Sequence, residues 1–138
     1  MSIRLKDREE EITALFEWID DDMDRYTEII NFGKKLETFP EDMRLESNEV
    51  KGCQSKVWLT HSYQDNRIYF LADSNTTITK GIVAILVYLW SGLSPQEIDD
   101  ASLEVLDRIE LRQHLTSQRS NGLTAMIQRM KAIANSYK

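Results

Sequence analysis

Nine consecutive apolar residues, Ile82 to Trp90, set the terms on which this chain folds. A helix that spans a bilayer needs about 20 such residues. The run is far too short for that and reads as a helix buried in protein. Asp73–Thr77, just upstream, holds several residues suited to cap its N-terminus. Before that, Val57, Leu59, His61 and Tyr63 alternate with Trp58, Thr60 and Ser62, the period of a half-buried strand. Gln64-Asp65-Asn66 reads as a turn, and Arg67–Ala72 as the returning strand of a hairpin.

The remaining segments supply helices to cover this centre. Ile12, Leu15, Phe16 and Ile19 fall at i, i+3, i+4 and i+7, an amphipathic stripe. A second helix is expected from Asp20–Asp22, whose charges suit the positive end of the helix dipole, through Tyr26, Ile29 and Ile30 towards Leu36. Pro40 ends it, and Glu41–Lys51 is polar and loop-like, with a short strand expected around Leu45–Val50. Ser94-Pro95-Gln96-Glu97 has the spacing of a capping box, with Pro at the first helical position. A further helical region spans Leu103, Leu106, Ile109 and Leu111, and a last helix keeps Leu123, Met126, Ile127, Met130 and Ile133 on one face. Trp18, Trp58 and Trp90 are read as core. The fold class is therefore α+β, a small antiparallel sheet packed against helices, and residues 1–138 are read as one domain.

Charge and cysteine usage narrow the function. Seventeen Lys and Arg stand against 23 Asp and Glu, a net charge of -6. Nucleic-acid binding relies on cations displacing phosphate counterions, so this balance argues against it; an acidic surface suits a basic protein partner or simply solubility. The chain passes from Met1 into the acidic stretch Asp7–Asp24 without the apolar stretch of a secretory signal, so a cytoplasmic protein with no membrane contact is expected. Cys53 is the single cysteine, so neither an intramolecular disulfide nor a CxxC pair exists. Cys53, His61 and His114 fall short of the four ligands of structural zinc, and no metal or cofactor is expected. Asp20–Asp22 suit helix capping better than a metal, since no calcium loop surrounds them.

A lone cytosolic Cys is ordinarily a small buried residue. The surroundings of Cys53 point elsewhere. It belongs to no apolar stripe, Gly52 frees the backbone beside it, and Lys51 and Lys56 flank it. Cations favour the thiolate, the nucleophilic form. A lone thiol also cannot discharge a bound sulfane sulfur by closing a disulfide with a neighbour. His61 and His114 are candidate bases for a Cys–His thiol enzyme acting on a small substrate. The plainer reading, each merely hydrogen-bonded in a strand or helix turn, is preferred, because such a pair must meet in space. Arg119 stands at the start of a helix, where the dipole disfavours a cation, and is a candidate for binding a carboxylate or a partner as well as for simple solvation.

Asn48-Glu49-Val50-Lys51-Gly52-Cys53-Gln54-Ser55-Lys56-Val57-Trp58 is similar to the signature around the persulfide cysteine of the SufE family, CsdE included. Asp73-Ser74 followed by Lys80-Gly81, then Gly92–Ile98, then His114–Leu123 continue the match in register. Asn75 stands where members often carry another acidic residue. The resemblance implies a fold shared with IscU-type scaffolds and a cysteine on an exposed loop. It implies that Cys53 accepts sulfur from a pyridoxal-phosphate-dependent cysteine desulfurase of the SufS or CsdA kind, stimulates that enzyme, and passes sulfur to an iron–sulfur scaffold complex. The pyridoxal phosphate belongs to the partner. Gly52 and Arg119 carry over as supporting or partner-binding residues. Scaffold function does not carry over, because two of the three scaffold cysteines are missing. A non-catalytic adaptor that binds the desulfurase is the remaining alternative.

Overall fold

The computed structural model describes residues 2–53, 55–111, 115 and 117–138, and the side chains of these except Ser117, Gln118 and Arg119. In chain order the elements are α1 (Ile3–Glu17), α2 (Asp22–Lys34), two single turns of tight helix at Glu41–Met43 and Glu46–Asn48, β1 (Val57–Gln64), β2 (Arg67–Ser74), α3 (Thr77–Trp90), α4 (Pro95–Asp100), α5 (Glu104–Arg108) and α6 (Ser117–Ser136). The fold is α+β, with one antiparallel hairpin and helices packed about it.

The apolar run is the heart of the molecule. Helix α3 buries Ile82, Val83, Ala84, Ile85, Leu86, Leu89 and Trp90, so it is covered on nearly every side. Helix α2 lies directly on it. A β-carbon on Gly81 would come within 2.2 Å of the Ile29 carbonyl oxygen, and one on Gly33 within 3.0 Å of the Gly81 nitrogen. The two backbones touch there because neither glycine has a side chain to hold them apart. None of the described helices is long and apolar enough to cross a membrane.

The hairpin forms as read, and β2 runs two residues past Ala72 to Ser74. Asp65 and Asn66 adopt φ of 53° and 61°, the left-handed pair that matches a two-residue turn to the strand twist. Helix α5 is shorter than the apolar spacing suggested. Glu110, at φ 57°, ends it, and the Leu111 N–H bonds back to the Leu106 carbonyl. The strand expected around Leu45–Val50 is absent: local bonds from Asn48 to Met43 and Leu45 make a turn, and only Glu49 pairs with Trp58.

Two further expectations fail on the outer helices. Leu15 is half exposed, because α1 turns Leu5, Ile12 and Phe16 inward instead. Trp90 is core and Trp58 lies half-buried under the Arg44 guanidinium, but Trp18 is 83% exposed. Trp18 caps the C-terminus of α1, where Phe16 and Ile19 take the inward positions.

The capping box at α4 is complete. The Ser94 hydroxyl accepts from the Glu97 N–H at 3.1 Å, and the Glu97 carboxylate accepts from the Ser94 N–H at 2.9 Å. Ser2 and Arg4, at the start of α1, also donate to Glu97. Burial pushes the Glu97 carboxyl up, but these donors outweigh it and hold it at about 2, against an ordinary 4.5. A carboxyl with a depressed folded-state pKa contributes stability above its unfolded value and loses it as pH falls towards the folded one. The wild-type protein is therefore expected to lose stability between pH 4.5 and 2. Urea midpoints of wild type and Glu97→Gln should converge across that window and be farthest apart at neutral pH.

Candidate functional site

The loop that carries Cys53 is anchored at both ends. The Val50 N–H donates to the Val57 carbonyl at 2.8 Å, closing the chain across residues 51–56. On the far side the Lys56 N–H donates to Asn75 Oδ1 at 3.1 Å, and the Asn75 N–H donates to the Lys56 carbonyl at 3.2 Å. The hydroxyls of Ser55 and Thr76 lie 2.9 Å apart, with Thr79 donating to Ser55. The loop is thus tied to β1 and to the start of α3. Gly52 takes φ +91°, which L-residues avoid, and this sharp bend brings Cys53 back onto α6.

There the thiol lies half-buried, with Sγ 3.7 Å from the Gly122 carbonyl, to which it donates. Gly122 leaves room for it: a β-carbon there would stand 3.4 Å from Sγ. A β-carbon on Gly52 would stand as close to Ala125, one turn further along α6. Burial pushes the Cys53 thiol pKa up. This corrects the expected help from the flanking lysines. Lys51 and Lys56 are exposed, and Lys51 lies 3.7 Å from Glu46, so water screens both and desolvation decides.

At the open end of the hairpin lies an ion network that the sequence did not reveal. Asp73, on β2 opposite Trp58, is buried and pairs with Arg44 at 2.6 Å and Lys80 at 3.2 Å. Burial pushes its carboxyl up, yet the bonds from Arg44, the Ser74 backbone and Lys80 bring it below the usual value. The Arg44 guanidinium is held between the Phe39 and Trp58 rings, 5.4 and 4.9 Å from their centroids. Asp73 reads locally as a helix cap; its partner lies 29 residues upstream, with no spacing rule to connect them. The cap position of α3 is Thr76, which makes no side-chain capping bond.

Of the two candidate bases, His61 does not join this site. His61 points its Nε2 at the Tyr137 hydroxyl, 2.9 Å away, with the two rings edge to face. It stands four residues along β1 from Val57, roughly 13 Å at strand spacing. His114 lies outside the described residues. Arg119 is in the first turn of α6 by its backbone, and its side chain lies outside the described residues.

Over residues 10–134 the chain matches the family described as SufE, an Fe–S metabolism associated domain. The chain belongs to the SufE family. An uncharacterized SufE-like protein of Rhizobium meliloti is 40% identical to this SufE-family chain over 124 residues, covering 86% of this chain and 89% of the relative. The sulfur acceptor protein CsdE of Escherichia coli is 32% identical over 105 residues, covering 75% of this chain and 71% of CsdE. Among solved structures, the solution structure of a hypothetical protein from Thermus thermophilus superposes with a TM-score of 0.76 over 94% of each chain. At 18% identity that likeness concerns the fold, and it agrees with the α+β architecture described above for this SufE-family protein.

Proposed function

We propose that this SufE-family protein is a sulfur acceptor, in which Cys53 takes sulfane sulfur from a pyridoxal-phosphate-dependent cysteine desulfurase, stimulates that enzyme, and relays the sulfur to iron–sulfur cluster assembly. The observation that carries the reading is the placement of the thiol. It is the chain's single cysteine, at the tip of a short anchored loop, shielded on α6 and away from His61. The name of the Escherichia coli relative, a sulfur acceptor protein, supports the same role.

The chemistry is thiol–disulfide exchange. Cys53 leaves the Gly122 carbonyl, where the neutral thiol is favoured, and gives its proton to solvent or to the donor site. The thiolate attacks the terminal sulfur of the desulfurase persulfide. A new S–S bond forms at Cys53 as the donor's S–S bond breaks, the donor cysteine departs as a thiolate, and the Cys53 persulfide keeps the terminal sulfur. Attack by a scaffold thiol on that terminal sulfur passes it on by the same step. A cytoplasmic setting, which keeps such thiols reduced, suits the relay.

Intact-mass spectrometry of the protein incubated with a cysteine desulfurase and cysteine is expected to show a gain of one sulfur atom that a reductant removes. The absence of any gain with the desulfurases tried would overturn the relay.

A further inference from the structure

The corner between α1 and α2 combines two features that rarely occur together on a monomer's surface. From Glu9 to Asp24 the chain holds eight carboxylates and no Lys or Arg. In the midst of them Trp18 is 83% exposed and Met23 71% exposed, the one capping α1 and the other in the first turn of α2. Leu15, 49% exposed and one turn before Trp18 on the same face, continues the apolar strip. It leads into a groove of about 420 Å³ floored by Phe32, Leu36 and Tyr88 and edged by Glu11, Lys35 and Glu37. The corner is also held firmly. Arg25, itself buried, donates to the Ile19 and Ile109 carbonyls at 3.0 Å each and pairs with Glu110.

We infer that this corner is a protein-docking surface for a basic, arginine-bearing patch of the cysteine desulfurase, an inference that rests on the sulfur-acceptor reading. Charge selects the occupant. A second copy would bring like charge against like, and an anionic lipid surface would be repelled in the same way. A guanidinium fits both features at once, stacking on the indole of Trp18 while pairing with the carboxylates of Asp20 and Asp24. Exposed Trp enclosed by a partner is a common binding hot spot, and Met23 adapts to whatever shape it meets. Cys53 performs the chemistry, and the α1–α2 corner supplies affinity at a separate point.

The test is direct binding, by calorimetry, of the full chain to each cysteine desulfurase used in the mass assay. Trp18→Ala is expected to weaken binding about 30-fold, the loss typical of a hot-spot residue. The double change Asp20→Asn with Asp24→Asn should weaken it a few-fold and flatten its salt dependence. All three side chains are exposed, so circular dichroism should show an unchanged fold. Unchanged affinity in Trp18→Ala, with sulfur still reaching wild-type Cys53, overturns the docking surface and leaves the relay standing. Weakened binding in Trp18→Ala, with no sulfur gain even in wild type, upholds the surface and removes the relay. Failure of the wild-type chain to bind any of the desulfurases overturns the surface.

Discussion

Cys53→Ser is expected to abolish sulfur uptake completely while leaving stability nearly unchanged. The hydroxyl is smaller and less nucleophilic and cannot hold a persulfide. The side chain is only half-buried and adds little to the core, so the unfolding free energy should change by no more than about 0.5 kcal/mol, the range of substitutions away from core features. In the mass assay the variant should gain no sulfur, and its stimulation of the desulfurase should vanish. Full stimulation with no mass gain would make the protein an adaptor and end the relay. A sulfur gain in the variant would place the acceptor at some other atom.

Gly81→Ala is expected to do the reverse, sparing the chemistry of the loop and damaging the fold. Inside a helix an Ala ordinarily gains about 1 kcal/mol over Gly. Here the new methyl would stand 2.2 Å from the Ile29 carbonyl oxygen, a backbone atom that cannot rotate away, so α2 must lift off α3. Overpacking typically costs about 1–3 kcal/mol and more where the backbone has to move. A net loss on the order of 3 kcal/mol is expected, a large part of the roughly 5–15 kcal/mol that holds a domain together. Gly122→Ala is the internal control. Its methyl meets Cys53 Sγ at 3.4 Å, ordinary contact, so the helix gain should prevail and the midpoint should stay or rise. A lowered urea midpoint in Gly81→Ala beside an unchanged or raised one in Gly122→Ala would establish the backbone contact; a stabilised Gly81→Ala would refute it.

What the sequence disclosed was what its neighbours in the chain decide. The capping box needs only Ser94 and Glu97, three residues apart, and the hairpin needs only alternation and a turn that accepts positive φ. The long apolar run leaves one physical option, burial. Trp18 points outward because one residue beyond a helix end the stripe no longer dictates direction; packing of Phe16 and Ile19 does. The lysines beside Cys53 look activating in one dimension, but the group that sets the thiol's environment is Gly122, 69 residues away. Arg44 and Asp73 were hidden for the same reason: each looks like an ordinary loop or cap residue until the fold places it against the other. The loop position of Cys53 and Gly52 was thus legible, and the electrostatics around them were not.

The anchoring of the loop sets a length as well as a shape. Cys53 is three residues from Val50 on one side and three from Lys56 on the other, and both ends are bonded to the body of the protein. Three extended residues span about 10 Å. With its anchors intact the sulfur is on a short tether, able to sweep an arc of that radius and no further. On the proposed relay, any donor or recipient sulfur must therefore come to the surface within such a distance of the hairpin base. A partner whose reactive cysteine lies at the bottom of a deeper shaft could be served only if the Asn75–Lys56 bonds opened first. Tether length, rather than reactivity, would then decide which proteins can exchange sulfur with this one.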